Sequence, residues 1–233
     1  MEIDITYDVR KDSNGKDPDS HSKILRAYHK YLWSKKLPTG KDFILEDNVE
    51  GIYLYHSSEL GEFNLRSDAF IHTYSTWQRT KDLIKQIPEE EIEYFNYISY
   101  TIGGIILFPG NPINGKSTLN QERGTNKYIN DRMDLTLECI RRYYNNESSP
   151  LFETIQRYDN FFKLFIDFKG YCEYFLLQDL VVEYYSKIDF FLPFDDFEYN
   201  KLPKNKIEYN EYRIKSIDFL NKRNNRILEY SKN

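Results

Sequence analysis

Apolar and polar residues alternate at the start of the chain. Ile3, Ile5, Tyr7 and Val9 stand between Asp4, Thr6, Asp8 and Arg10, the period-two pattern of a half-buried strand. Residues 11–19, rich in Ser, Asn, Gly, Pro and Asp, predict a loop. Ser20 or Ser22 then caps a helix to about residue 36, with Ile24, Leu25, Tyr28, Leu32 and Trp33 facing inward. Residues 43–45, 51–56, 62–65 and 69–74 read as short strands. From Ser75 the period becomes helical: one helix over 75–87, and a second over 89–100 opened by Pro88 with acids in its first turn. Gly103 and Gly104 break this pattern before a buried strand over 105–108, and a Gly/Asn/Pro loop follows. A helix capped by Thr125 runs to Tyr144, and the remainder reads as helices over roughly 150–165, 170–187 and 207–230. The pattern predicts a single α+β domain, with short strands in the N-terminal half (1–120) and a mainly helical C-terminal half (125–233).

Composition narrows the classes. A chain of 233 residues is ample for one core and short for two. Its 21 Tyr and 16 Phe exclude a disordered chain. The apolar runs fall far short of a membrane span of about 20 residues, and no signal peptide is evident. Two cysteines, Cys139 and Cys172, make neither a disulfide framework nor a cysteine-only zinc site, so a reducing cytosol is expected. The charge is uneven. Residues 201–233 carry nine basic and four acidic side chains, a net +5, which leaves −10 on the first 200 residues of a chain whose total is −5. Such a tail either binds a nucleic-acid backbone or docks as a helix on its own acidic body.

Gly110-Asn-Pro-Ile-Asn-Gly115-Lys116-Ser117 fits the phosphate-cradling pattern G-x-x-x-x-G-K-[ST] and follows an apolar strand. A nucleotide loop also needs a long helix starting at the Lys-Ser pair. Here Gly124 falls seven residues after Ser117, and the residues between have no apolar face. A second comparison concerns Gly51-Ile-Tyr-Leu-Tyr-His56-Ser-Ser. An apolar strand ending in Tyr-His-small-Ser resembles the NAD-contacting strand of histidine-type ADP-ribosyltransferases, which would give His56 the nicotinamide ribose. Thr73-Tyr74 follows by only 18 residues, and no later Glu completes that triad.

At 100° per residue, Ile129, Met133, Thr136, Leu137, Ile140 and Tyr144 share one face of the expected 126–144 helix. Asp131, Asp134, Glu138 and Arg142 share the opposite one, with Tyr128, Leu135 and Cys139 as a second apolar flank. A helix apolar on two sides is central, and enclosed acids need partners. Arg123, Lys127, Arg132 and Arg141 lie nearby in sequence. The stripe is therefore either a structural salt-bridge lattice or a cleft of carboxylates and arginines for a polar, phosphorylated ligand. Carboxylates alone also suit a hard divalent cation. The four histidines form no metal signature, and Cys139 reads as a small core residue.

Several blocks taken together resemble one uncharacterised bacterial family, a domain of unknown function. They include Asp8-Val-Arg10 with Asp17-Pro-Asp-Ser-His-Ser22, Tyr28-His-Lys30 with Leu32-Trp-Ser-Lys35, and Tyr55-His-Ser-Ser-Glu-Leu-Gly-Glu-Phe63. Others are Thr101-Ile-Gly-Gly104, Arg123-Gly124, Asp131-Arg-Met-Asp-Leu-Thr-Leu-Glu-Cys-Ile-Arg-Arg-Tyr143 and Phe168-Lys-Gly-Tyr171 with Leu176-Leu-Gln-Asp179. The resemblance covers most of the chain and brings no activity or cofactor. The family's pattern fixes no Ser or Thr after the Gly-Lys pair, which counts against a nucleotide loop. Arg10, His29, His56, Asn120, Arg123, Asp131, Asp134, Glu138 and Arg142 fall inside the family blocks and are the candidate site residues. The leading expectation is a cleft engaging a phosphorylated small molecule or nucleic acid, with no membrane partner. In it Arg10, Asn120, Arg123 and Arg142 bind the ligand, and Arg123 and Arg142 clamp its phosphate. Asp131, Asp134 or Glu138 is then base or metal ligand, and His29 or His56 the acid/base. The competing expectation is a non-catalytic interaction protein.

Overall fold

The computed structural model describes residues 1–48, 54–199 and 201–232. Asp17 caps a single helical turn, Pro18–His21 (α1), with proline at its first position. Ser22 caps Lys23–Trp33 (α2) by accepting from Leu25 N at 3.0 Å. Leu25, Tyr28, His29, Leu32 and Trp33 form the buried stripe of α2.

Lys35–Lys36 (β1) pairs with Asp42–Phe43 (β2). Glu46–Asp47 (β3), Leu54–Ser58 (β4), Gly61–Ala69 (β5) and Ile105–Pro109 (β6) then form an antiparallel sheet in that order. Register in the β4–β5 hairpin sets Leu54 against Leu65 and His56 against Phe63, so one face of the hairpin feeds the core. Of the strand expected over 51–56, residues 51–53 lie outside the described residues. The two strands expected over 62–65 and 69–74 are replaced by the single β5. Beyond Ala69 the chain leaves the sheet, where Phe70 N donates to Gly104 O at 2.7 Å.

The remaining helices are Lys81–Ile84 (α3), Glu89–Ile98 (α4), Leu119–Thr125 (α5), Met133–Tyr144 (α6), Phe152–Arg157 (α7), Asp159–Phe162 (α8), Phe168–Tyr174 (α9) and Lys206–Lys232 (α10). A hairpin of Val181–Val182 (β7) and Lys187–Ile188 (β8) lies between the last two. This is a mixed α+β domain, with short antiparallel strands early and a long C-terminal helix.

Local hydrogen bonds explain where the chain departs from its periodicity. Residues 3–9 form turns, not a strand, because Asp4 Oδ1 accepts from Thr6 N (2.8 Å) and Thr6 Oγ1 (2.6 Å), and Asp8 Oδ1 accepts from Arg10 N (3.0 Å). The helix expected over 75–87 shrinks to α3, since Tyr74 is left-handed (φ 58°) and its carbonyl accepts from Thr80 Oγ1 at 2.7 Å. Of the helix expected over 126–144 only Met133–Tyr144 (α6) is helical; α5 ends at Thr125, where that helix was expected to begin, and a turn separates α5 from α6. Asn130 and Asp131 between them are both left-handed (φ 49° and 57°), and Asp131 N turns back to Arg123 O at 3.0 Å. The helix expected over 170–187 ends at Tyr174, where Leu176 (φ 56°) turns the chain towards the β7–β8 hairpin.

Every residue of α6 from Met133 to Ile140 is buried, as its two apolar flanks require. Phe161, Phe165, Tyr171, Tyr174 and Phe175 pack beside it as one aromatic cluster with Trp33. The basic tail docks on the body. Arg213 pairs with Glu91, and Arg226 with Asp179 at 2.8 Å. Arg223 is wholly buried, donating to the carbonyls of Gly103 (2.8 Å), Ile105 (3.0 Å) and Phe175 (3.1 Å).

Candidate functional site

Residues 66–68 of β5 meet α1 edge-on. Asp19, in the first turn of α1, has its carboxylate fixed by two donors, Ser67 N at 2.8 Å and Arg66 Nε at 2.9 Å. Burial nonetheless raises its carboxyl above the usual range, against the pull of Ser67 and Arg66. Asp17 accepts a second, longer bond from Arg66 Nη2 (3.3 Å).

Behind Ser67 lies His29. Its Nδ1 accepts from the Trp33 indole N–H at 3.0 Å, so the ring proton is on Nε2 and is donated to Ser67 Oγ at 3.0 Å. Burial, helped by the charges of Arg223 and Arg26, pushes His29 down to about 3. The ring is therefore neutral at physiological pH and fixes the Ser67 hydroxyl from behind.

Asp68 is the next residue on β5. Its side chain is 25% exposed and pairs with Arg123, which is wholly buried. That guanidinium also donates to Thr136 Oγ1 at 2.9 Å and lies against Ala69 O at 3.4 Å, so one side chain ties β5, α5 and α6 together. Burial pushes the Asp68 carboxyl up to about 7; Arg123 pulls it down, and Asp131 pushes it further up. Asp131 comes close because of the left-handed turn after α5. A Cβ built on Gly124 would stand 3.2 Å from Asp131 Oδ2, so the Arg123-Gly124 pair leaves room for that carboxylate.

These groups border two adjoining cavities that share Asp17, Asp19, Ser67 and Asp68. The larger, about 320 Å³, reaches Arg66, Gly110 and Asn120. The smaller, about 190 Å³, reaches Leu25, Tyr100 and Ile105. Asn120 donates to Ser67 O at 3.2 Å, while its buried Oδ1 meets no donor. Arg10 stands at the rim, its guanidinium 4.1 Å from the Tyr100 ring centre and forked on Asp8. The groove is mildly acidic: Asp17 and Asp19 share the single guanidinium of Arg66, while Asp68 is matched by Arg123. Among the described residues no group of three or more His, Cys, Asp or Glu side chains is arranged to hold a metal ion.

Of the candidates from sequence, His29, Asn120, Arg123 and Asp131 thus converge on one place, with Arg10 at its edge. The others do not. Asp134 is buried and accepts from Arg132 and from Phe191 N (2.9 Å). Glu138 accepts from Arg141 (2.8 and 2.9 Å) and Arg142 (2.7 Å). Arg142 goes on to pair with Asp196 and to donate to Ser148 O at 3.2 Å. These form a lattice that fixes the segments after α6 and α9. His56 is buried in β4, stacked 4.1 Å from the Phe43 ring, with its nitrogens bonded at Ile44 O (2.8 Å) and Ser58 Oγ (2.8 Å).

Sequence reasoning missed Asp17, Asp19, Arg66, Ser67 and Asp68. Asp17-Pro-Asp was the legible signal, a proline-started turn presenting two acids, but it reads as a helix cap until its partner on β5 is known.

The molecule is an α+β domain with an acidic groove at the junction of α1, β5 and α5. The sequence matches a family of unknown function, DUF6994, over residues 3–227, and the chain belongs to that family. No curated protein and no solved structure matches it. No described helix is long and apolar enough to cross a membrane.

Proposed function

We propose that the protein is an enzyme that uses Asp68 as a general acid–base on a small ligand held in the groove. The observation that carries this reading is the position of Asp68, a carboxylate opening onto the two cavities between a buried arginine and a second carboxylate. A group balanced near neutrality exchanges a proton at little cost at physiological pH. Asp19, with its own raised carboxyl, is the second acid of the site, and Ser67 is held rigidly between the two.

Asp17 and Asp19 outnumber Arg66 in this groove and Arg123 is already taken by Asp68, so the part of the ligand held here is neutral or cationic. Hydroxyl or amino groups match the carboxylate acceptors that line the groove. The test is a panel of nucleosides, monosaccharides and small amines, followed by chemical-shift perturbation on the wild-type chain and on Asp68→Asn. The reading expects shifts centred on residues 17–19, 66–68 and 120, weakened in the variant. Binding that ignores Asp68, or no saturable binding by any member of the panel, contradicts it.

A non-catalytic reading has one observation in its favour: Arg123 needs a counter-charge wherever the fold takes it, and Asp68 supplies one. Under that reading Asp68→Asn lowers stability and leaves ligand shifts unchanged.

A further inference from the structure

The Gly115-Lys116-Ser117 segment has no part in the acidic groove. It borders a separate cavity of about 510 Å³ that shares no lining residue with the groove and is closed on its far side by Ser149, Pro150 and α7. The nucleotide-loop geometry is not present here. β6 lies in an antiparallel sheet, and α5 begins only at Leu119. Its first turn is closed on itself by Thr118 and Gln121, leaving no open helix N-terminus for a phosphate chain.

What the cavity does hold is two cations, Lys116 and Arg157, on facing walls of its lining. Arg157 anchors the loop through Nη2, which donates to Ser117 O at 2.7 Å and Thr154 Oγ1 at 3.2 Å. It pairs with no described carboxylate, and its Nε–H is shut off from solvent and meets no acceptor. Lys116, exposed on the same cavity, likewise has no carboxylate partner among the described residues. The loop is open beside Lys116: Gly115 is left-handed (φ 69°), and a Cβ built there would touch nothing within 4 Å.

We propose that this cavity is a binding site for a small phosphomonoester, with Lys116 and Arg157 as the charges that take its phosphate. Arginine offers a planar fork and lysine a mobile point charge, a pairing suited to one tetrahedral dianion. The hydroxyls of Ser117 and Thr154 line the same space. Glu122 and Glu153 line it too, without pairing with either cation. They leave the cavity near neutral overall, so it disfavours a polyanion such as nucleic acid. It favours a phosphate whose own molecule carries an ammonium or hydroxyl for those carboxylates.

The test is titration calorimetry on the full chain with inorganic phosphate, O-phosphoethanolamine and ethanolamine. Saturable binding of the two phosphates, tighter for O-phosphoethanolamine, is expected, with no binding of ethanolamine alone. Lys116 is exposed, so Lys116→Ala keeps the fold. It should weaken O-phosphoethanolamine about tenfold or more, the effect of one charge-assisted contact. Arg157→Lys keeps the charge but loses the fork and should weaken it as well. Failure of both phosphates to bind at about 10 mM, or equal binding by Lys116→Ala, overturns the proposal. Because no lining residue is shared, Asp68→Asn leaves this binding intact, and the two sites are tested separately.

Discussion

Asp68 closes on the guanidinium of Arg123, which has no exposed surface of its own. One ion pair therefore anchors the fold on its buried side and opens onto a groove on the other. Replacing Arg123 by Met removes the counter-charge and the bond to Thr136. Breaking a buried pair from one side costs about 3 kcal/mol or more, which in a chain of this size is roughly 6–12 °C in Tm. Calorimetric unfolding at neutral pH measures it. The titration of Asp68 should move upward in the same variant, since the attraction of Arg123 is what holds it down.

Stability against pH should carry two opposed signatures. His29 is displaced downward to about 3 from an ordinary value of 6.5, so below 6.5 the unfolded chain binds a proton that the folded chain refuses. Its contribution is full above 6.5 and is lost as pH falls towards 3. His29→Gln should therefore show a shallower loss of Tm between pH 6.5 and 4 than the wild type. Asp68 is displaced upward to about 7 from 3.8, so the folded chain binds the extra proton. Its contribution is full below 3.8 and lost as pH rises through 7. Asp68→Asn should accordingly gain on the wild type as pH rises from 4 to 8.

Arg223 stands in the core with only carbonyl oxygens as hydrogen-bond acceptors, its guanidinium 4.3 Å from the Phe70 ring centre. Arg223→Met strands several acceptors at once, each costing about 1–3 kcal/mol. The expected outcome is a loss of cooperative unfolding or a fall in Tm of more than 10 °C, on the order of 3 kcal/mol, read by circular dichroism. A variant as stable as the wild type would refute the view that α10 is pinned at this residue.

Glu138 holds Arg141 and Arg142 together, away from the groove. Glu138→Gln leaves two partly exposed guanidinium groups short of a carboxylate. About 1–3 kcal/mol of stability should go, with the amide shifts of residues 17–19 and 66–68 unmoved. Shifts in the groove would show that the α6 lattice and the site are coupled.

Much of the architecture was legible along the chain. The caps at Ser22, the acidic start of α4, the buried β6 and the long basic helix all follow from local residues. So does the two-sided burial of α6, since apolar flanks on both faces leave no side for solvent. The site was half legible. Asn120, Arg123, Asp131 and His29 converge, yet for a reason the periodicity concealed: Asp131 belongs to no helix. Left-handed Asn130 and Asp131 turn it away from Asp134 and Glu138 and set it beside Asp68. The rest depends on contacts that no local pattern encodes, above all Asp19 reaching 48 residues along the chain to Ser67. The acidic stripe looked like one cleft because a helix of 3.6 residues per turn aligns those positions; in three dimensions it divides into a groove wall and a structural lattice.

Burial raises the Asp68 carboxyl to about 7, with Arg123 pulling it down and Asp131 pushing it up. Carboxyl ¹³C shifts of the aspartates, followed from pH 3 to 9 in the wild type and in Asp131→Asn, measure this directly. The Asp68 resonance should titrate with a midpoint near 7 and move to lower pH when the charge of Asp131 is removed. A midpoint at the ordinary value near 3.8, unmoved by Asp131→Asn, would contradict the account.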